Sequence, residues 1–217
     1  MKPAALILDF DGPVADAFHD LPTEELLERS HRLLIERDWS PSSIPDDGDA
    51  LTLVQAVHRI DPAEGRALER MISEVEASTI PHAPETPGAV ELIRGAMDGG
   101  VAVAVASNNS SRAIRSWLDG RSLGNSLIGV VARTNSTIGL MKPEPAYLLE
   151  VAVGLCLKPS QCAFVGDSLT DAVAARRANM PFVAYANRPY KNQLFMQEPH
   201  LAQVDEMAGV RSVLQWS

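Results

Sequence analysis

The sequence predicts an α/β fold, in which helices flank a parallel five-stranded sheet and a small helical unit is inserted after the first strand. The predicted strands are short runs rich in Val, Ile, Leu and Ala, at residues 4–10, 101–107, 127–131, 162–166 and 181–185. These runs show little alternation, which is typical of strands that are covered on both faces. Helical stretches separate most of them, at residues 88–99, 110–119, 144–155 and 169–179. Such alternation favours a parallel sheet with right-handed crossovers.

The inserted unit is predicted from residues 14–83, which contain no convincing strand. Apolar residues recur there at helical spacing in three stripes: Leu26, Leu27, Leu33 and Leu34; Ala50, Leu53, Val54, Val57 and Ile60; Leu68, Met71, Ile72 and Val75. Asp61 and Pro62 provide an N-cap and a first-turn proline for the third helix. A proline-rich connector then returns to the sheet. We therefore expect a core of residues 1–14 and 84–217 and a helical cap of residues 15–83.

Composition excludes several classes of protein. The net charge of −9 and the pI of about 5.0 disfavour a nucleic-acid partner, which would need a basic surface. The chain lacks an apolar run of about 18 residues, so we expect no membrane span. The start of the chain shows no signal-peptide pattern, and Cys156 and Cys162 are interpreted as buried free thiols. Together these features predict a cytoplasmic protein.

Two acids, Asp9 and Asp11, end the first predicted strand and are followed by Gly12. Open α/β sheets bind their ligands at the carboxyl ends of the strands. Two carboxylates about 4 Å apart repel each other by roughly 4 kcal/mol at an effective dielectric constant near 20. A proton or a cation must therefore accompany them, and Mg²⁺ is a usual guest of an oxygen-only site.

The other predicted strands also deliver polar residues to their carboxyl ends. Ser107 and Asn108 end the second, Lys142 follows the third, and Asp167 and Asp171 follow the fourth. A lone Asp-x-Asp occurs about once by chance in a chain of this length. The order of all these groups along the chain therefore indicates a functional site more strongly than the two acids do alone. In a parallel sheet these ends share one edge, and we expect the side chains to converge there.

This ordered set resembles the haloacid dehalogenase superfamily of hydrolases, in its phosphatase branch with a helical cap inserted after the first strand. The family pattern is Asp-x-Asp, then Ser or Thr, then Lys, then Gly-Asp-x-x-x-Asp. The resemblance implies a Rossmann-like core, Mg²⁺ as cofactor and a small phosphorylated metabolite as substrate. A monomer and a homodimer are both compatible with it.

The resemblance also implies a role for each motif residue. Asp9 would attack phosphorus and form an aspartyl-phosphate, and Asp11 would act as general acid and then general base. The implied phosphate-binding residues are Ser107, Asn108 and Lys142. The implied metal group is Asp9, Asp11 through its backbone carbonyl, Asp167 and Asp171, the last orienting a bound water or Lys142.

Plainer interpretations of these residues stay open. Asp11 and Gly12 are compatible with a simple turn, and Ser107 with a helix cap. Pro13 departs from the Thr or Val that the family usually has after its Asp-x-Asp-Gly. Two other functions also remain: a phosphosugar mutase resembling β-phosphoglucomutase, and a non-catalytic binding protein on the same scaffold. Candidate substrate contacts in the cap are His19, Arg29, His31, Arg32, Trp39, His58 and Arg59.

Overall fold

The computed structural model describes residues 2–21, 23–45, 48–124 and 129–215. Within these ranges, parallel strands form one sheet in the order β3-β2-β1-β4-β5-β6. The strands are β1 (Ala5–Leu8), β2 (Ala102–Ser110), β3 (Gly129–Arg133), β4 (Cys162–Gly166), β5 (Phe182–Tyr185) and β6 (Ala202–Val204). The predicted α/β fold with a parallel sheet flanked by helices is confirmed.

The predicted number of five strands was wrong, because β6 adds a sixth strand beside β5 at one edge of the sheet. β6 has three residues, none of them fully buried. So short a strand at an exposed edge leaves no continuous apolar run in the sequence. The third predicted run, 127–131, starts outside the described residues, and β3 extends two residues beyond its end.

Nine helices of four residues or more occur in the described part of the chain. They are α1 (Thr23–Glu36), α2 (Ala50–Ile60), α3 (Pro62–Thr79), α4 (Ala89–Asp98), α5 (Ser111–Asp119), α6 (Ala146–Gly154), α7 (Leu169–Arg177), α8 (Lys191–Leu194) and α9 (Met207–Leu214). The Asp61 carboxylate caps α3 by accepting hydrogen bonds from the amides of Ala63 (2.8 Å) and Glu64 (3.2 Å). Among these helices, none combines the length and apolar character that crossing a membrane requires.

The sheet separates two apolar layers. Along β1, Ala5 and Ile7 face one layer, whereas Leu6 and Leu8 face the other. Helices α1, α2, α3, α6 and α7 contribute to the first layer, and α4, α5 and α9 to the second. Both faces of β1 are therefore buried, which explains why its sequence is an unbroken apolar run.

The two cysteines are free thiols in different surroundings. Cys162 is buried in β4, as predicted, but Cys156 is exposed, so the prediction that both are buried was wrong. Cys156 follows the end of α6 and has a φ of 54°, a left-handed conformation that ends the helix at the surface.

Candidate active site

The topology places three motif segments beside one another. β1 pairs with β2 on one side and with β4 on the other, all in parallel. Asp9 follows β1, Ser107 lies near the end of β2, and Asp167 follows β4. These side chains line one cavity of about 480 Å³ at the carboxyl edge of the sheet, together with Asp11 and Lys142. The convergence expected from strand order is therefore present.

Lys142 lies at the centre of the charged groups. Its Nζ is 2.8 Å from Asp9 Oδ1 and 2.6 Å from Asp171 Oδ1, and the residue is 3% exposed. Burial disfavours the charged ammonium, but the adjacent carboxylates of Asp171 and Asp9 raise the pKa of Lys142 above its ordinary value. Lys142 therefore supplies a fixed positive charge between two buried acids.

The two acids after β1 have different surroundings. Asp9 Oδ1 also accepts the Phe10 amide at 2.7 Å, and burial together with the charge of Asp171 raises the pKa of Asp9 to about 7 against the opposing effect of Lys142. Asp11 Oδ1 accepts the Ala17 amide at 2.9 Å. Burial, and then the charges of Asp167 and Asp9, raise the pKa of Asp11 well above its ordinary value. A carboxyl that holds its proton more readily is suited to donating one to a leaving group.

Asp9, Asp167 and Asp171 form a group that could hold a metal ion, because one oxygen of each lies within 4.8 Å of the others. The donors are all carboxylate oxygens, which suits Mg²⁺. Burial and the charge of Asp171 raise the pKa of Asp167, whereas an ion pair with Lys191 opposes that rise. The residues that are present thus fit a divalent cation.

Asp171 is held by several donors at the start of α7. Its Oδ2 accepts the amides of Asp167 and Ser168, both at 3.1 Å, and the Ser168 hydroxyl at 2.6 Å. Its Oδ1 accepts from Lys142. With both oxygens engaged, Asp171 is arranged to hold Lys142 and the loop after β4 in place.

Gly12 allows the loop after β1 to approach Asp167. Its φ of 85° lies in the left-handed region, and a Cβ at this position would lie 2.2 Å from Asp167 Oδ2. The adjacent Pro13 is buried in a turn closed by the amides of Val14 and Ala15, which both donate to the Phe10 carbonyl at 3.0 Å. Neither hydrogen bond needs a backbone N–H at position 13, which proline lacks. This turn therefore accommodates Pro13, although the family usually has Thr or Val there.

A bulge at the end of β2 presents the second motif. The pairing with β3 passes from Ser107 directly to Ser110, so Asn108 and Asn109 have no partner in that ladder. The Asn108 side chain donates to the Lys142 carbonyl at 2.9 Å and accepts the Lys142 amide at 2.8 Å. The bulge is therefore tied to the loop that carries Lys142.

Helix α2 covers one side of the cavity. Gln55 donates to the Met141 carbonyl at 3.1 Å, and Asp49, Thr52 and Arg59 also line the wall. Of the candidate substrate contacts, Arg59 lies on this wall, and His19 lies on the wall of a neighbouring cavity. Trp39 instead packs against the apolar layer.

Sequence reasoning missed several polar residues at this site, among them Lys191 and Asn109. Lys191 pairs with Asp167 from the short helix α8, which carries no recognisable motif. Asn109 directly follows the second motif, and its Oδ1 accepts the Ser107 hydroxyl at 3.0 Å. Its position beside Ser107 and Asn108 is the signal that could have identified it, whereas Lys191 had no such signal.

Comparisons with known proteins agree with this arrangement. A family model described as haloacid dehalogenase-like hydrolase matches residues 4–179. The phosphoglycolate phosphatase of Rhodospirillum rubrum is 28% identical over 196 residues, which cover 83% of this chain and 78% of that protein. The phosphoglycolate phosphatase of Pseudomonas fluorescens is 28% identical over 193 residues, covering 84% and 69% respectively.

Solved structures share the fold. A haloacid dehalogenase superfamily hydrolase from Geobacter sulfurreducens aligns with a TM-score of 0.63 at 24% identity, over 97% of this chain and 98% of its own. CbbY from Rhodobacter sphaeroides, in complex with xylulose-(1,5)bisphosphate, aligns with a TM-score of 0.68 at 17% identity, over 95% of each chain. At these identities the similarity establishes the fold.

Proposed function

Because the chain belongs to the haloacid dehalogenase-like hydrolases, we propose that it is a Mg²⁺-dependent phosphatase that acts on a small phosphorylated metabolite through a phosphorylated Asp9. The observation that carries the proposal is the position of Lys142, whose ammonium contacts Asp9 and Asp171 at the floor of the cavity. A carboxylate nucleophile and a phosphate dianion repel each other, and a fixed ammonium beside both lowers that repulsion.

In the proposed first step, a carboxylate oxygen of Asp9 attacks phosphorus and the bond to the leaving oxygen breaks. The contacts of Asp9 with Lys142 and with the Phe10 amide both use Oδ1, which favours Oδ2 as the attacking atom. Asp11 donates its proton to the leaving oxygen, a role that its raised pKa supports. The products of this step are an alcohol and an aspartyl-phosphate.

In the proposed second step, Asp11 takes a proton from water as the water oxygen attacks phosphorus. The bond between phosphorus and Asp9 breaks, which releases inorganic phosphate and regenerates the carboxylate. Ser107 and the backbone amide of Asn108 are proposed to hold the phosphoryl oxygens, since both residues line the cavity.

Asp9, Asp167 and the backbone carbonyl of Asp11 are the proposed metal ligands. Asp171 completes the acidic group and is proposed to orient Lys142, with which it pairs at 2.6 Å. Bound Mg²⁺ would neutralise negative charge between the nucleophile and the phosphate.

We propose that residues 15–83, which contain helices α1–α3, form the cap.

We infer a substrate that carries a second negative charge. Arg59 lies on the cavity wall that α2 provides, where it could meet a carboxylate of the leaving group. The similar proteins named phosphoglycolate phosphatase support a phosphorylated small acid. Phosphoglycolate is thus the first substrate to test.

The test is release of inorganic phosphate from phosphoglycolate and from a panel of phosphorylated metabolites, with Mg²⁺ and with a chelator. Wild-type protein is expected to release phosphate in Mg²⁺ alone, and Asp9→Asn to release none above background. Asp98→Asn is the matched control, because it removes one exposed carboxylate at the end of α4. Full activity of Asp9→Asn would refute the mechanism. Isomerisation of a sugar phosphate without phosphate release would favour a mutase instead.

A further inference from the structure

A buried ion cluster, whose residues do not line the cavity, joins α3 to the sheet. The Arg133 guanidinium, at the end of β3, lies between two carboxylates of α3, with Nη1 2.9 Å from Glu69 Oε1 and Nη2 paired with Glu76. Arg133 and Glu76 are fully buried, and Glu69 is 3% exposed. Two buried acids share one cation, so further donors are needed to make their burial tolerable.

Glu76 finds those donors in the bulge at the end of β2. Its Oε1 accepts from Asn109 Nδ2 at 3.0 Å, and its Oε2 accepts the Ser110 amide at 3.1 Å. Arg133 adds a third contact, because its Nε donates to the Asn108 carbonyl at 2.8 Å. Glu76 of α3 and Arg133, which pairs with it, therefore both hydrogen-bond to the bulge.

The contact with Glu76 also sets the orientation of the Asn109 amide. An ionised carboxylate can only accept, so Asn109 must turn its NH₂ group towards Glu76 and its Oδ1 away from it. Oδ1 then lies 3.0 Å from Ser107 Oγ, which donates to it. Glu76 thus determines, through Asn109, the acceptor that the Ser107 hydroxyl meets before a phosphate arrives.

Glu69 provides an internal comparison. It sits seven residues earlier on the same helix, is also buried and pairs with the same arginine. Its other donors are the Ser73 hydroxyl at 2.5 Å and the Asn135 side chain at 2.8 Å, which lie outside the bulge. The two acids therefore differ in whether they contact the residues that flank the candidate phosphate site.

We propose that Glu76 is a positioning residue, which reaches from α3 to the bulge and holds Asn109 and Ser110 so that Ser107 and Asn108 are preorganised to bind a phosphoryl group. The inference rests on the proposed phosphatase function. Under this proposal, the affinity of the protein for phosphate depends on Glu76, a buried side chain that does not line the cavity.

The experiment is calorimetric titration of the full chain, in Mg²⁺, with inorganic phosphate. Glu76→Gln preserves volume but removes the charge that fixes the Asn109 amide, and we expect its dissociation constant for phosphate to rise about tenfold. Glu69→Gln removes an equivalent charge from Arg133 and is expected to bind phosphate within about twofold of wild type. Glu76→Asp, which retains the acceptor charge, is expected to recover part of the affinity.

Each outcome decides a different point. If wild-type protein binds phosphate and Glu76→Gln matches Glu69→Gln, the inference is wrong and the proposed function stands. If wild-type protein neither binds phosphate nor releases it from any substrate, the proposed function fails and the inference fails with it. If Glu76→Gln does not fold, Asn109→Ala decides, because it breaks the same link while the pair of Glu76 with Arg133 remains. Wild-type affinity in Asn109→Ala would overturn the inference.

Discussion

Replacing Gly12 with alanine tests whether the close approach of two loops positions Asp167 in the candidate metal site. The added Cβ would lie 2.2 Å from Oδ2 and 2.4 Å from Cγ of Asp167, so the carboxylate must move by about 1 Å to restore an ordinary contact. A displacement of about 1 Å at a catalytic group costs on the order of 10²-fold in rate. The obstacle is the end of a side chain rather than backbone, so we expect the fold to survive.

Backbone strain must be separated from this effect, and Gly100 provides the control. Its φ of 73° resembles the 85° of Gly12, but nothing lies within 4 Å of the Cβ that alanine would add. Both variants should lose about 1 kcal/mol of stability, or about 2–4 °C in Tm, because alanine is strained in the left-handed region.

The assay compares kcat/KM for phosphate release and the Mg²⁺ concentration at half-maximal activity in the two variants. Gly12→Ala is expected to lose about 10²-fold in kcat/KM and to need more Mg²⁺. Gly100→Ala is expected to keep wild-type values for both. Equal activity in the two variants would refute the reasoning, because it would mean that the contact with Asp167 does not position the carboxylate.

Three further changes test other contacts. Lys142→Met leaves Asp9 and Asp171 without their shared ammonium, and we expect urea denaturation to show a free energy of unfolding lower by about 3–5 kcal/mol. A loss below about 1 kcal/mol would contradict the buried pairing. Lys191→Met removes a positive charge that pairs with Asp167, and we expect calorimetry to show tighter Mg²⁺ binding. Weaker binding would contradict the idea that the Lys191 ammonium and Mg²⁺ compete for Asp167. Trp117→Phe deletes a 2.9 Å hydrogen bond to the Ala83 carbonyl and should cost about 1–2 kcal/mol of stability; an unchanged denaturation midpoint would speak against it.

The order of strands and motifs could be predicted because its signals are local. A continuous apolar run such as β1 identifies a strand that is covered on both faces, and Asp61 with Pro62 identifies the start of α3. Once the sheet is parallel, the polar residues that follow its strands must share one edge, which is where Asp9, Ser107 and Asp167 lie. The short edge strand β6 escaped prediction because three residues, none of them buried, carry too little pattern.

The sequence by itself thus determined the fold class, the sheet edge that carries the site and the family that its motifs resemble. Tertiary structure alone decided the partners of those residues, because the contacts join segments that are far apart in the chain. Lys191 and Asp167 are 24 residues apart, Glu76 and Ser110 are 34 apart, and Arg133 and Glu69 are 64 apart. No local period or motif links such pairs, since it is the tertiary packing of separate elements, such as α3 against β2, that brings the charges together.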